Sequence, residues 1–103
     1  MTALNERARA LETQFARQQE LRFKADARGA AMIGRWAGYV MGIDDVEAYA
    51  RSLATTQIVE PHRLLDRIRQ DFANARVPVQ EAEIASRMHQ YLEQAADELY
   101  YRV

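Results

Sequence analysis

The chain has 103 residues, 49% of them hydrophobic and 28% charged, with a formal net charge of −1. This length predicts one domain, and this apolar content excludes a wholly disordered chain. It contains no cysteine, which excludes disulfides, thiol nucleophiles and cysteine-based metal sites. No apolar run approaches the roughly 18 residues of a membrane span, and the first residues carry no signal-peptide pattern. We therefore expect a cytoplasmic protein without direct membrane insertion.

The charge is unevenly placed along the chain. Residues 1–41 carry seven basic and four acidic groups, and residues 42–103 carry seven basic and eleven acidic groups. Thirteen of the fourteen bases are arginine, which favours forked pairing with carboxylates or phosphates. An asymmetry this modest predicts no nucleic-acid partner, although Arg63, Arg67 and Arg69 decorate one predicted helix.

The first predicted helix is too long for a compact domain of this size. From about Thr2 to Met41 there is no proline, and glycine first appears at Gly29. As one helix this segment would span about 60 Å, whereas a compact domain of this length is only about 30–35 Å across. The helix must therefore break, fray, or extend toward something else before Gly42 ends it.

Three shorter helices are predicted after Gly42, and nothing resembles a strand. Asp44 precedes Glu47 at the spacing of a capping box, which predicts the start of the second helix. Pro61 suits the first turn of the third, and the fourth begins near Gln80. The predicted fold is an all-α four-helix bundle with a long N-terminal helix or a mobile N-terminal helical arm.

Apolar side chains at helical spacing predict the core of this bundle. Small residues between Gly29 and Gly38 should let a neighbouring helix approach the first helix closely. Trp36 is expected to anchor the core, since tryptophan is largely buried in most proteins. The predicted core residues are Trp36, Ile68, Phe72, Met88 and Leu92.

The proximal half of the first helix has a separate apolar stripe. Leu4, Ala8, Leu11 and Phe15 follow 4-3-4 spacing on one face, and the stripe is interrupted at Gln18 and Arg22. An isolated amphipathic segment of about 15 residues is marginally stable in water. The pattern leaves open a frayed terminus, a folded-back cover for the bundle, or a helix that orders in a partner's groove.

Signals for catalysis and metal binding are absent from the sequence. His62 and His89 lie on different predicted helices without ligand partners, whereas a structural zinc site needs four ligands. Neither a glycine-rich phosphate loop nor a nucleophile–base pairing is indicated. We therefore predict a protein that is not an enzyme, with no catalytic and no metal-binding residues.

The segment 20–25, Glu-Leu-Arg-Phe-Lys-Ala, followed by Gly34-Arg35-Trp36-Ala37, is a quite specific pattern. By this pattern the sequence resembles the zeta subunit family of alphaproteobacterial F-type ATP synthases, small helical inhibitors of the synthase's catalytic head. The resemblance also rests on Glu6-Arg7, Glu12, Phe15-Ala16, Ala27-Arg28 and Gly42. Weaker collinear matches extend it over essentially the whole chain. They are Glu47-Ala48-Tyr49-Ala50, Glu60-Pro61, Asp71-Phe72, Glu83-Ile84 and Met88.

This resemblance implies a function for the two parts of the chain. Residues 1–19 would be an inhibitory arm that inserts between subunits of the catalytic head, and residues 20–103 would be the four-helix bundle. The partner would place the protein at the inner membrane as a peripheral component. The implied partner-binding residues of the arm are Leu4, Arg7, Ala8, Arg9, Leu11, Glu12, Phe15 and Arg17. The implied hinge, which carries the signature, is Gln18, Gln19, Glu20, Leu21, Arg22, Phe23 and Lys24.

Adenine nucleotides are the one small ligand that the resemblance suggests. No cofactor is required for a steric inhibitor, but the family looks able to bind ATP or ADP, and no motif here locates such a site. The chain departs from the family pattern at Gln18, Gln19, Gly29 and His62. A non-inhibitory nucleotide-binding or sensing module, descended from an inhibitor, is therefore the alternative function.

Overall fold

The computed structural model describes residues 2–101 and consists of four α-helices within that range. Met1, Arg102 and Val103, which belong to the predicted arm and bundle, lie outside the described residues. A 3₁₀ turn, Pro61–Arg63, leads directly into the third helix. The helices are α1 (Thr2–Met41), α2 (Val46–Val59), α3 (Leu64–Asn74) and α4 (Glu81–Tyr100).

Helix α1 is a single unbroken helix of 40 residues. It ends at Gly42, whose φ of +74° lies in the left-handed region that glycine adopts without strain. The amide of Ile43 donates to the carbonyl of Gly38 at 2.9 Å, and that of Gly42 donates to Tyr39 at 3.2 Å. These two bonds form a Schellman motif and satisfy the last carbonyls. The predicted end of the first helix is confirmed.

The start of α2 differs from the prediction by one residue. Asp45 is the N-cap, and its side chain accepts a hydrogen bond of 3.0 Å from the amide of Ala48. The predicted cap, Asp44, was wrong. The spacing to Glu47 suggested a capping box, but Glu47 instead accepts two hydrogen bonds from Arg35 on α1, at 2.8 and 3.1 Å.

Replacing Asp45 by alanine should lower the free energy of unfolding by about 1 kcal/mol, because the amide of Ala48 loses its acceptor. Asp44→Ala is the matched control, since it removes the same charge one residue away without touching the cap. Urea unfolding of both variants measures the difference. Equal losses would show that α2 does not depend on the Asp45 cap.

Two local signals bound α3. Pro61 opens the turn before it, as predicted. At its other end Arg76 adopts φ of +58°, and the amide of Val77 donates to the carbonyl of Phe72 at 3.1 Å. Arg76 therefore takes a position that glycine usually fills. This left-handed residue ends α3 just before residues 77–79, where the sequence predicted a break in the helical pattern.

The distal half of α1 lies against α2 on one side and α4 on the other, and both run antiparallel to it. Gly34 faces Ala50 of α2, and Gly29 faces Leu92 of α4. A Cβ built on Gly34 would lie 2.7 Å from Ala50 Cα, and one built on Gly29 would lie 2.9 Å from Leu92 Cα. Both distances are shorter than side chains tolerate, so these glycines permit the close approach that the small residues predicted.

The core of the bundle lies between α1 and the three later helices. Ile68 and Phe72 are fully buried, as are Ile33, Leu53, Leu64 and Ile84. The other predicted core residues, Trp36, Met88 and Leu92, are half-buried. Trp36 packs its ring on Phe72, with ring centroids 5.7 Å apart, and the Arg87 guanidinium lies 5.2 Å from the centre of the indole. Trp36 is thus at the edge of the core rather than inside it.

The bundle covers only the distal half of α1. Side chains 3–20 are all exposed, Leu21 is half-buried, and Ala25 is the first buried residue of the helix. The molecule is therefore elongated, 64 × 25 × 25 Å, with a radius of gyration of 17.3 Å. The sequence predicted that an overlong first helix would break, fray or extend toward something else. The structure shows the last of these, because α1 extends beyond the bundle without a break.

Candidate interaction surface

An uncovered apolar stripe runs along the part of α1 that extends beyond the bundle. Leu4, Leu11 and Phe15 are exposed to 75%, 62% and 63%, and Ala8 lies among them on the same face. Proteins rarely leave several large apolar side chains exposed next to one another. Where they do, the side chains usually form an interaction surface. We call these four residues the arm stripe.

The arm stripe lies on the same side of α1 as the core of the bundle. Eleven residues make three helical turns plus about 20°. Around the helix axis Ile33 therefore lies about 40° from Leu11. Ala37 lies about 40° from Phe15 and about 60° from Leu4, so all of them fall within one side of the helix. Ile33 and Ala37 are buried, exposed to 1% and 0%. The face that packs against the bundle thus continues into the arm, where the bundle no longer covers it.

Charged side chains of the arm have no partners within the described part of the chain. Arg7, Arg9, Glu12 and Arg17 are exposed and make no ion pair with any described residue. Some arginines of the bundle are paired, as Arg28 is with Glu98 of α4. The predicted partner-binding residues therefore share one exposed segment, but only the apolar ones among them share a face.

The predicted hinge, residues 18–24, is continuous helix. Its one ion pair among described residues joins Lys24 to Glu20 at 3.1 Å, one turn apart and largely exposed. Leu21 is the first side chain to turn toward the bundle. The segment therefore lies where arm and bundle meet, and the helix passes through it unbroken.

A concavity lies beside this segment, where the end of α2 meets α1. It has a volume of about 210 Å³ and is lined by Phe23, Asp26, Gln57, Ile58 and Pro61. Phe23 and Ile58 are exposed to 53% and 48%. We call these five residues the shoulder pocket. The sequence signalled only Phe23, because Ile58 and Pro61 reach this place through the antiparallel return of α2.

A half-buried polar network joins α2 to α3. Arg67 donates to the hydroxyl oxygens of Ser52 and Thr56, both at 2.8 Å, and lies 3.4 Å from the carboxylate of Asp71. Tyr49 donates to the same carboxylate at 2.7 Å. Burial raises the pKa of the Tyr49 hydroxyl, and the hydrogen bond to Asp71 raises it further. Tyr49 therefore stays a neutral donor at any physiological pH.

Another concavity, of about 350 Å³, lies beside this network and contains the guanidinium groups of Arg63 and Arg67. Both are already engaged, Arg63 by Glu60 at 3.4 Å and Arg67 by Asp71. Adenine-nucleotide binding stays a prediction without a location.

Among residues 2–101, no group of three or more His, Cys, Asp or Glu side chains could hold a metal ion. None of the helices described is long and apolar enough to cross a membrane.

Comparison with known proteins gives one match. A family model described as ATPase inhibitor subunit zeta matches residues 1–98. No curated protein and no solved structure matches the chain. The family match spans the arm and nearly all of the bundle, and it confirms the resemblance seen in the sequence. The chain belongs to the ATPase inhibitor subunit zeta family.

Proposed function

We propose that this protein inhibits ATP hydrolysis by the catalytic head of an F-type ATP synthase, and that it does so by inserting its N-terminal helical arm between subunits of the head. It would then be peripheral to the inner membrane, held there through the synthase. The family to which the chain belongs supports an ATPase as the partner. The role of the arm rests on its surface.

The observation that carries the proposal is the uncovered arm stripe. Its three large side chains continue the core-facing side of α1, yet each remains more than 60% exposed. Burying one such side chain contributes about 1.5–3 kcal/mol. A groove of apolar side chains on the partner would supply the cover that the bundle ends too early to provide, which is the helix-in-groove mode of recognition.

The shape of α1 favours a steric mode of inhibition. The exposed segment 3–20 corresponds to about 27 Å of helix, and it is continuous with a segment packed in the bundle. Such an arm can act as a wedge between moving subunits without any proton transfer or covalent step. Arg7, Arg9 and Arg17 pair with no acidic group in residues 2–101. They are suited to forked pairing with carboxylates lining a subunit interface.

ATP hydrolysis by the cognate catalytic head tests this function. The rate should fall to a plateau as increasing amounts of the protein are added. A variant lacking residues 1–19 should leave the rate unchanged, and its melting curve verifies that the bundle remains folded. Equal rates with and without a large excess of the full chain would remove inhibition as the function.

A further inference from the structure

The shoulder pocket combines apolar walls with a carboxylate that pairs with no described residue. Phe23, Ile58 and Pro61 form the walls, and Asp26 lies among them. The Asp26 side chain makes no ion pair or hydrogen bond with any described residue. Arg22 lies one turn earlier on α1 and is exposed, but no ion pair joins the two. The pocket therefore has an unused acceptor beside an exposed aromatic ring.

Between α2 and α3, an arginine binds to a similar pair of groups, an aromatic ring and a carboxylate. The Arg67 guanidinium lies 5.7 Å from the centre of the Tyr49 ring and 3.4 Å from the carboxylate of Asp71. A cation is attracted by the ring face and by the carboxylate together. The shoulder pocket presents the same two kinds of group, the ring of Phe23 and the carboxylate of Asp26.

The pocket is rigidly coupled to the arm stripe. Phe15 and Phe23 belong to one unbroken helix, eight residues or about 12 Å apart along its axis. A partner that takes up the arm as far as Phe15 must therefore bring its own surface close to the end of α2. The shoulder pocket lies at the rim of that contact.

We propose that the shoulder pocket is a second docking point for the ATPase, and that it receives a lysine or arginine side chain from the rim of the cleft that takes up the arm. The aliphatic stem of that side chain packs between Phe23 and Ile58. Its charged end pairs with Asp26. This inference rests on the proposed function, because it assigns the rest of the same interface.

The arm and the shoulder pocket have separable effects on inhibition. Arm contacts block the catalytic head, whereas the shoulder pocket holds the bundle in place. Loss of the shoulder contact therefore raises the concentration needed for half-inhibition and leaves the plateau of inhibition unchanged. The ionic part of the contact is weakened by salt.

The test measures half-inhibition of ATP hydrolysis, together with direct binding of the full chain to the catalytic head, at low and high salt. Asp26→Asn and Phe23→Ala each should raise the half-inhibition concentration about tenfold. Asp26→Asn should also reduce the salt dependence. The matched controls are Asp44→Asn and Tyr39→Ala, at exposed positions near the other end of the bundle, and both should behave as wild type.

Three results would overturn the proposal. Asp26→Asn binding like Asp44→Asn would show that no cation occupies the pocket. An effect of Phe23→Ala without one of Asp26→Asn would show purely apolar docking. A dimer in sedimentation equilibrium that Phe23→Ala dissociates, with ATPase binding unchanged, would make a second copy the occupant. Since binding is measured directly, the shoulder contact is tested even if the wild-type chain does not inhibit.

Discussion

Replacing Leu11 and Phe15 together by alanine should weaken inhibition at least about 100-fold, because two side chains lose about 1.5–3 kcal/mol of burial each. Both are more than 60% exposed in the free chain, so the substitutions remove no contact with its own bundle. The melting temperature should stay within about 2 °C of wild type, as is usual for surface changes. Titrated hydrolysis assays and thermal melting measure the two quantities on the same samples.

A matched control uses the other end of α1. Tyr39 and Val40 are exposed to 82% and 47%, and their double replacement by alanine should leave inhibition unchanged. A large fall in the melting temperature of the Leu11→Ala, Phe15→Ala variant would contradict this account. It would mean that the arm packs on its own core in solution.

Gly34→Ala should lower the free energy of unfolding by about 2 kcal/mol, within the usual range for overpacking a core contact. The new methyl group would lie 2.7 Å from Ala50 Cα and 3.2 Å from Leu53 Cδ1. Since Ala50 Cα is backbone, α1 and α2 must move apart. The predicted loss is net of the roughly 1 kcal/mol that alanine gains over glycine in helix propensity. Urea unfolding measures the change, and the melting temperature should fall by roughly 10 °C.

The control for Gly34 is Gly38→Ala on the same helix. Its added methyl group would meet side-chain atoms of Tyr49 and Val46 at 3.3 and 3.4 Å, and these can shift slightly. The gain in helix propensity should therefore nearly offset the crowding. If Gly34→Ala were as stable as Gly38→Ala, the close approach of α1 and α2 at Gly34 would be refuted.

Local signals predicted the helices well, because each boundary depends on residues a few positions apart. Gly42 ends α1 through its left-handed backbone, and Pro61 opens the turn before α3. The cap of α2 was misplaced because Asp44 and Asp45 are adjacent. Asp45 is the cap because its side chain accepts from the amide of Ala48, while Glu47 pairs with Arg35, 12 residues away, instead of completing a capping box. Helix length and stripe spacing predicted that the two halves of α1 differ, but they left open a frayed terminus, a folded-back cover or an external partner for the first half.

Tertiary contacts determine what the sequence could not indicate. The shoulder pocket forms only because α2 returns antiparallel to α1 and brings Ile58 beside Phe23. Trp36 was expected inside the core, but the Arg87 side chain covers one face of the indole and leaves the ring at the edge. The hinge role of residues 18–24 stays a prediction, because these residues form continuous helix in the free chain.

The central claim is that the arm stripe becomes buried against the ATPase, and thiol reactivity tests it most directly. The chain has no cysteine of its own, so Ala8→Cys on the arm stripe and Ala85→Cys on α4 each introduce a unique thiol at an exposed position. Both should react quickly with a small maleimide in the free protein. After addition of catalytic head whose own thiols have been blocked, the thiol at position 8 should become protected, while that at position 85 reacts as before. Unchanged reactivity at position 8 in a saturated complex would contradict the account.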